Sequence, residues 1–175
     1  MNEKFEFAYR NEDDKAYGLA GMAISIASLD ALDRITEIDL EADGPMITFS
    51  NHYYYSTSPS VSPKAVWNNL LRNLHLTTAL VMGNVMARSV VRMGMPPIPV
   101  VFDEIKNIVR EEGREICSLD EEEADVLFDK VLRHSLRLFN NPRLHPAVTE
   151  LARVISRRRR LGVLELAEEL ELLRI

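Results

Sequence analysis

Residues 63–93, PKAVWNNLLRNLHLTTALVMGNVMARSVVRM, decide how this chain is built. Val66, Trp67, Leu70, Leu74, Leu80, Val81, Val85 and Met86 recur at helical intervals, and together they cover more than one stripe. Such a surface predicts one long helix with neighbours on several sides, the central element of a bundle. Pro63 suits the first turn of that helix, where a missing amide proton costs nothing. Pro96, Pro97 and Pro99 close it, because proline also pushes the residue before it out of helical geometry.

Further helices follow downstream. Phe102, Ile105, Ile108 and Val109 predict a shorter one ending near Gly113. Ser118-Leu119-Asp120-Glu121 has the form of a capping box opening the next, with Ala124, Leu127, Phe128, Val131, Leu132, Leu136 and Phe139 on its buried side. Asn140-Asn141-Pro142 stops it, Pro146 opens another with Val148, Leu151 and Ile155 on one face, and Gly162 is the expected left-handed cap. In the tail, Val163, Leu166, Leu170 and Leu173 have a/d-like spacing over too few heptads for a coiled coil.

Upstream, Leu19, Met22, Ile26, Leu29 and Leu32 predict a helix from about Asp14 to Ile35. Ile38–Ala42 and Met46–Phe49 alternate on either side of Asp43-Gly44-Pro45, which reads as a hairpin, with a third strand expected at Tyr53–Thr57. Phe5, Phe7 and Tyr9 suggest one more short strand. The expected fold is mostly α (α+β): a helical bundle of five or six helices around the long central one, with a small antiparallel β-hairpin or meander near the N-terminus. Residues 1–162 form a single mainly helical domain. Residues 163–175 form a C-terminal amphipathic helix packed on that domain or on a partner subunit.

A chain of 175 residues and 20.0 kDa, 46% hydrophobic and 27% charged, falls among ordinary globular domains. Its net charge of −6 disfavours broad binding to polyanions. The single cysteine, Cys117, excludes an intramolecular disulfide and any thiolate-rich zinc site. The first residues carry no secretory pattern, and the uncharged stretch of the central helix, Asn73 to Ala87, is shorter than the roughly 20 apolar residues of a membrane span. A cytoplasmic protein with no membrane contact is therefore expected.

Three patterns could carry function. Ala16, Ala20, Ala23 and Ala27, with Ala79, Gly83 and Ala87, form small-residue stripes along which helices approach closely, either inside the chain or between copies. Residues 131 to 161 carry eight basic groups and one acidic group, including Arg153 and the run Arg157, Arg158, Arg159 and Arg160. Such a block offers a polyanion patch, ion-paired surface, or a counterpart to the acidic Asp120–Glu123 block. His52, Tyr53, Tyr54 and Tyr55, continuing to Ser58, offer an aromatic loop suited to a ligand or an interface.

Chemistry is less marked. The four histidines fit no metal-ligand spacing, so no metal, cofactor or catalytic residue is assigned. Asp125 and Asp129 read as a solvated acidic face, and Cys117 as a small buried hydrophobe. There is no Walker loop, Gly-x-Gly-x-x-Gly or Gly-x-Ser-x-Gly motif. The leading expectation is a non-enzymatic self-associating module, a homo-oligomer and most simply a dimer, using Ala79, Gly83 and Ala87 or Val163, Leu166, Leu170 and Leu173. One alternative is a regulatory protein contacting nucleic acid through Arg153–Arg160. Another is an enzyme or small-ligand binder using the His52–Ser58 loop.

Overall fold

The computed structural model describes residues 8–50 and 62–173. The expected strand at Phe5 to Tyr9 falls largely outside them, as does the third strand expected at Tyr53–Thr57.

Helix α1 spans Glu12–Ala27. Asn11 caps it by accepting from the Asp14 amide at 2.9 Å, and Glu12, Asp13 and Asp14 place negative charge where the helix dipole favours it. It ends eight residues before the sequence pattern does. The Ser28 hydroxyl donates to the Ser25 carbonyl at 2.7 Å, Asp30 turns the chain with φ 51°, and Leu32–Arg34 make one 3₁₀ turn. Ile35 thereby starts a strand.

Strand β1, Ile35–Asp39, pairs antiparallel with β2, Ile47–Phe49, as the turn at Asp43-Gly44-Pro45 implies. A bulge between Ile35 and Glu37 breaks strict alternation, so Ile35 and Ile38, three positions apart, are both fully buried. The other edge of β1 is covered by β3, Arg160–Gly162, giving the order β2-β1-β3. This strand lies where helix was expected. Arg159, with φ 68°, is the positive-φ residue ending the preceding helix, and Gly162 instead caps the start of the next.

Helix α2 runs Pro63–Met86, with Pro63 in its first turn and the Ser62 side chain accepting from the Ala65 amide at 3.3 Å. A π-helical stretch, Ala87–Arg92, prolongs it. It is the central helix, packed against α1, against α3 (Pro99–Cys117) and against α4 (Glu121–Phe139). Pro63–Arg92 is long and apolar enough to cross a membrane, but 72% of its most apolar window is buried inside the molecule, so its composition is that of a core helix.

Helix α3 continues through Gly113 and stops at Ser118, whose φ of 54° terminates it. The capping box lies two residues beyond the expected one: Asp120 accepts from the Glu123 amide at 2.8 Å, and Glu123 accepts from the Asp120 amide at 3.0 Å. Helix α5, His145–Arg158, packs on α1, and α6, Val163–Leu172, lies against β1 and β3.

The small-residue stripes meet each other. A Cβ built on Gly83 would collide with the Gly21 carbonyl and the Ser25 hydroxyl, and one on Gly21 with the Gly83 carbonyl. Ala79 and Ala87 are buried with them, so this seam is filled inside the chain. Leu166 and Leu170 are likewise buried against their own domain, Leu173 packs at the edge of the core, and Val163 is half-buried.

Candidate functional site

An open groove of about 580 Å³ lies between α2, α4 and the α3–α4 turn. Helix α2 supplies Trp67, Leu71 and His75 at four-residue intervals, with Asn68 and Arg72 beside them, so one helix face lines one wall. Helix α4 supplies Val126, Leu127 and Lys130 from the other side, and Leu119 forms the floor. The capping box fixes where α4 begins. The Leu119 amide donates to the Gly113 carbonyl at 3.0 Å, which folds its side chain onto Gly113, where no Cβ intervenes.

Trp67 is anchored at its polar end only. Its indole N–H donates to the Cys117 carbonyl at 2.9 Å, occupying one of the acceptors left open at a helix C-terminus, while 42% of the residue is exposed to the groove and solvent. Val126 opposite is 62% exposed. Behind the groove, Asp125 takes a two-pronged bond from Arg110 at 2.6 and 2.7 Å and a contact from Lys106 at 3.1 Å, which ties α3 to α4. The Arg110 hydrogen bonds are the strongest influence bringing the Asp125 carboxyl down to about 2. Asp125 is therefore a cross-helix brace, not the solvated acid that its spacing from Asp129 suggests.

The groove is electrically polar along its length. At the Trp67 end stand Asp120, Glu122 and Glu123. Eight residues further along α2, roughly 12 Å at 1.5 Å per residue, His75 faces the Lys130 end of α4. Burial, then the positive charges of Lys130 and His134, push the His75 imidazole below its ordinary value, and no carboxylate figures among those influences.

A serine–histidine contact lies near that end, with Ser28 Oγ 2.9 Å from His134 Nε2. It does not form a nucleophile. The Ser28 proton is committed to the Ser25 carbonyl, so His134 must donate to the hydroxyl and cannot act as its base. Cys117 is buried, and burial pushes its thiol up, away from the reactive thiolate. Among the described residues no three His, Cys, Asp or Glu side chains gather as a metal-binding group.

A second polar cluster lies at the π-helical end of α2. Arg88 Nε and Nη2 donate to Asp14 at 3.0 and 2.6 Å, Nη2 also reaches the Ala8 carbonyl at 3.0 Å, and the guanidinium lies 4.8 Å from the Tyr9 ring centre. Asn84 donates to the Tyr9 hydroxyl at 2.8 Å. Burial raises the Asp14 carboxyl, but the Arg88 hydrogen bonds, the Arg10 amide and the charges of Arg88 and Arg92 outweigh it and hold the group below the usual carboxylate range. Every partner here is spent on another, which makes the cluster a clamp between α1 and α2.

The arginine run is distributed over three structural settings, not one helix end. Arg158 pairs with Glu165 and Glu169, Arg159 with Glu12 and Glu41, Arg160 with Glu37 and Asp39, and Arg153 with Glu150. Only Arg157 of the set makes no ion pair among the described residues. The counterpart to the basic block is thus β1 with the turn after it, α6, the start of α1 and Glu150 of α5 itself, not Asp120–Glu123. His52, Tyr53, Tyr54 and Tyr55 lie outside the described residues.

Comparison with protein families, curated proteins and solved structures finds no match. Function is argued from the site alone. The groove is what sequence reasoning missed, although Trp67, Leu71 and His75 already stood on one face of a helix too apolar for one neighbour.

Proposed function

We propose that this chain is a non-enzymatic helical binding module whose working surface is the α2–α4 groove. The observation that carries the reading is an open groove of about 580 Å³ whose walls include the chain's single tryptophan and the exposed Val126. That volume lies in the range of small-ligand sites, and an apolar wall kept in water is stabilised by any occupant that removes it from water. Because Trp67 is the only tryptophan, intrinsic fluorescence reports on the groove directly. Titration with the neutral apolar dye N-phenyl-1-naphthylamine is expected to give a saturable Trp67 change that Val126→Glu abolishes. A dye response without saturation, or one untouched by Val126→Glu, overturns the reading.

Self-association is the second reading, favoured by Leu164 and Leu172, which are 78% and 77% exposed on the outer side of α6. Light scattering then gives a mass of twice 20.0 kDa that Leu164→Glu halves. A wild-type mass of 20.0 kDa at micromolar concentration rejects it.

A further inference from the structure

We infer that filling the groove is linked to a proton on His75: an uncharged apolar body laid along Trp67, Leu71 and Leu119 binds tightest when the His75 imidazole is neutral, and its binding expels the proton when the ring is charged. The inference rests on the groove being a binding surface and adds how pH governs its occupancy.

The place of His75 in the wall carries this. His75 stands four residues beyond Leu71 on the face of α2 that lines the groove, and its ring is half-buried before anything fills the space. A body lying along that face takes the rest of the ring out of water, and imidazolium loses far more by this than imidazole does. The surroundings offer no compensation. From α4 the ring meets Lys130 and His134, and Arg72 lines the groove three residues back on its own helix. From α1 comes Ser28, engaged with His134 Nε2, while Glu12, Asp13 and Asp14 are paired at the far end of that helix with Arg159, Arg92 and Arg88. From α3, Gly113 packs beside Leu74, and its neighbours Glu112 and Arg114 do not figure among the influences on the ring. The carboxylates of the groove, Asp120, Glu122 and Glu123, stand at the Trp67 end. A charged His75 thus sits among cations in a wall that an occupant dries.

In the empty groove, burial first and then Lys130 and His134 already hold the ring below the ordinary histidine value of roughly 6.5. An uncharged occupant lowers it further. Affinity is therefore highest above about pH 7 and falls as pH drops through the empty-groove value.

The test uses the full chain and N-phenyl-1-naphthylamine, which stays uncharged across this range, with Trp67 fluorescence as the readout. Its dissociation constant is expected to rise about threefold between about pH 7.5 and about pH 5.5, and to be independent of pH in His75→Asn, whatever the affinity of that variant. By reciprocity, saturating dye lowers the midpoint of the His75 ring resonance in an NMR titration by about half a pH unit, a measurement that needs no variant. Constant affinity across the range, a pH dependence that survives His75→Asn, or a His75 midpoint unmoved by the dye overturns the proton linkage and leaves the groove reading standing. No response of Trp67 at any pH overturns both.

Discussion

The two halves of α2 face opposite fates. Its C-terminal half meets α1 backbone to backbone across Gly21 and Gly83, with the buried Arg88–Asp14 pair closing the seam. Its N-terminal half carries Trp67 and Arg72 into an open groove. One helix therefore holds both a backbone-to-backbone contact and an open, partly apolar wall. The contrast teaches that stability and recognition are separated along a single element, so substitutions in the two halves should have opposite signatures.

The largest effect is expected at the seam. Gly83→Leu must push α2 off α1, because the obstacles are the Gly21 carbonyl and the Ser25 side chain, and neither helix backbone can give way. A loss above about 5 kcal/mol, enough to erase a cooperative urea transition, is expected. Gly83→Ala sharpens the point. Alanine gains about 1 kcal/mol of helix propensity, so a net destabilisation isolates the steric cost.

Next comes the clamp. Arg88→Met leaves the buried Asp14 with only the Arg10 amide at 3.0 Å and the more distant Arg92 at 3.5 Å, which is expected to cost about 3 kcal/mol in urea denaturation. Adding Asp14→Asn should recover part of that loss. A single-variant cost near zero would mean that the cluster is not the clamp its geometry describes.

Groove variants should behave in the reverse way. Val126→Glu, at a 62% exposed position, is expected to change stability by no more than about 0.5 kcal/mol while removing dye binding. Equal loss of stability and binding would erase the distinction between the two halves.

The smallest effect concerns the Asp125 brace. Its folded carboxyl sits at about 2, below the roughly 3.9 of an unfolded aspartate, so its contribution is present above pH about 4 and lost as pH falls towards 2. The urea midpoints of wild type and Asp125→Asn should differ at pH 7 and converge near pH 2. A gap that widens towards acid reverses the sign and rejects the brace.

Much of this architecture was legible because helices advertise themselves locally. The period of Leu70, Leu74, Val81 and Val85, the prolines at 63, 99 and 146 and the turn at Asp43-Gly44-Pro45 all act within a few residues. Local signals blur where two structures compete for the same residues. Leu29 and Leu32 keep α1's period after the helix has ended, and Ser118-Leu119-Asp120-Glu121 mimics the box that Asp120 and Glu123 actually form. Non-local pairings leave no such trace. Arg88 meets Asp14 across 74 positions and Arg160 meets Asp39 across 121, so neither the clamp nor the neutralised arginine run could be read from spacing. The groove shares that limit, because Trp67 and Val126 face one another only once α3 has set the distance between α2 and α4.

The position of β3 also has a consequence for synthesis. Strand β1 leaves the ribosome with one edge satisfied by β2, while the partner of its other edge is more than a hundred residues away. At about 5–20 residues per second, that edge waits on the order of ten seconds. Throughout the interval, Ile38 and its neighbours offer free amides and carbonyls to any extended chain nearby. A nascent chain stalled before Arg160 should consequently be a better substrate for chaperones, and more prone to aggregate, than one released a few residues later.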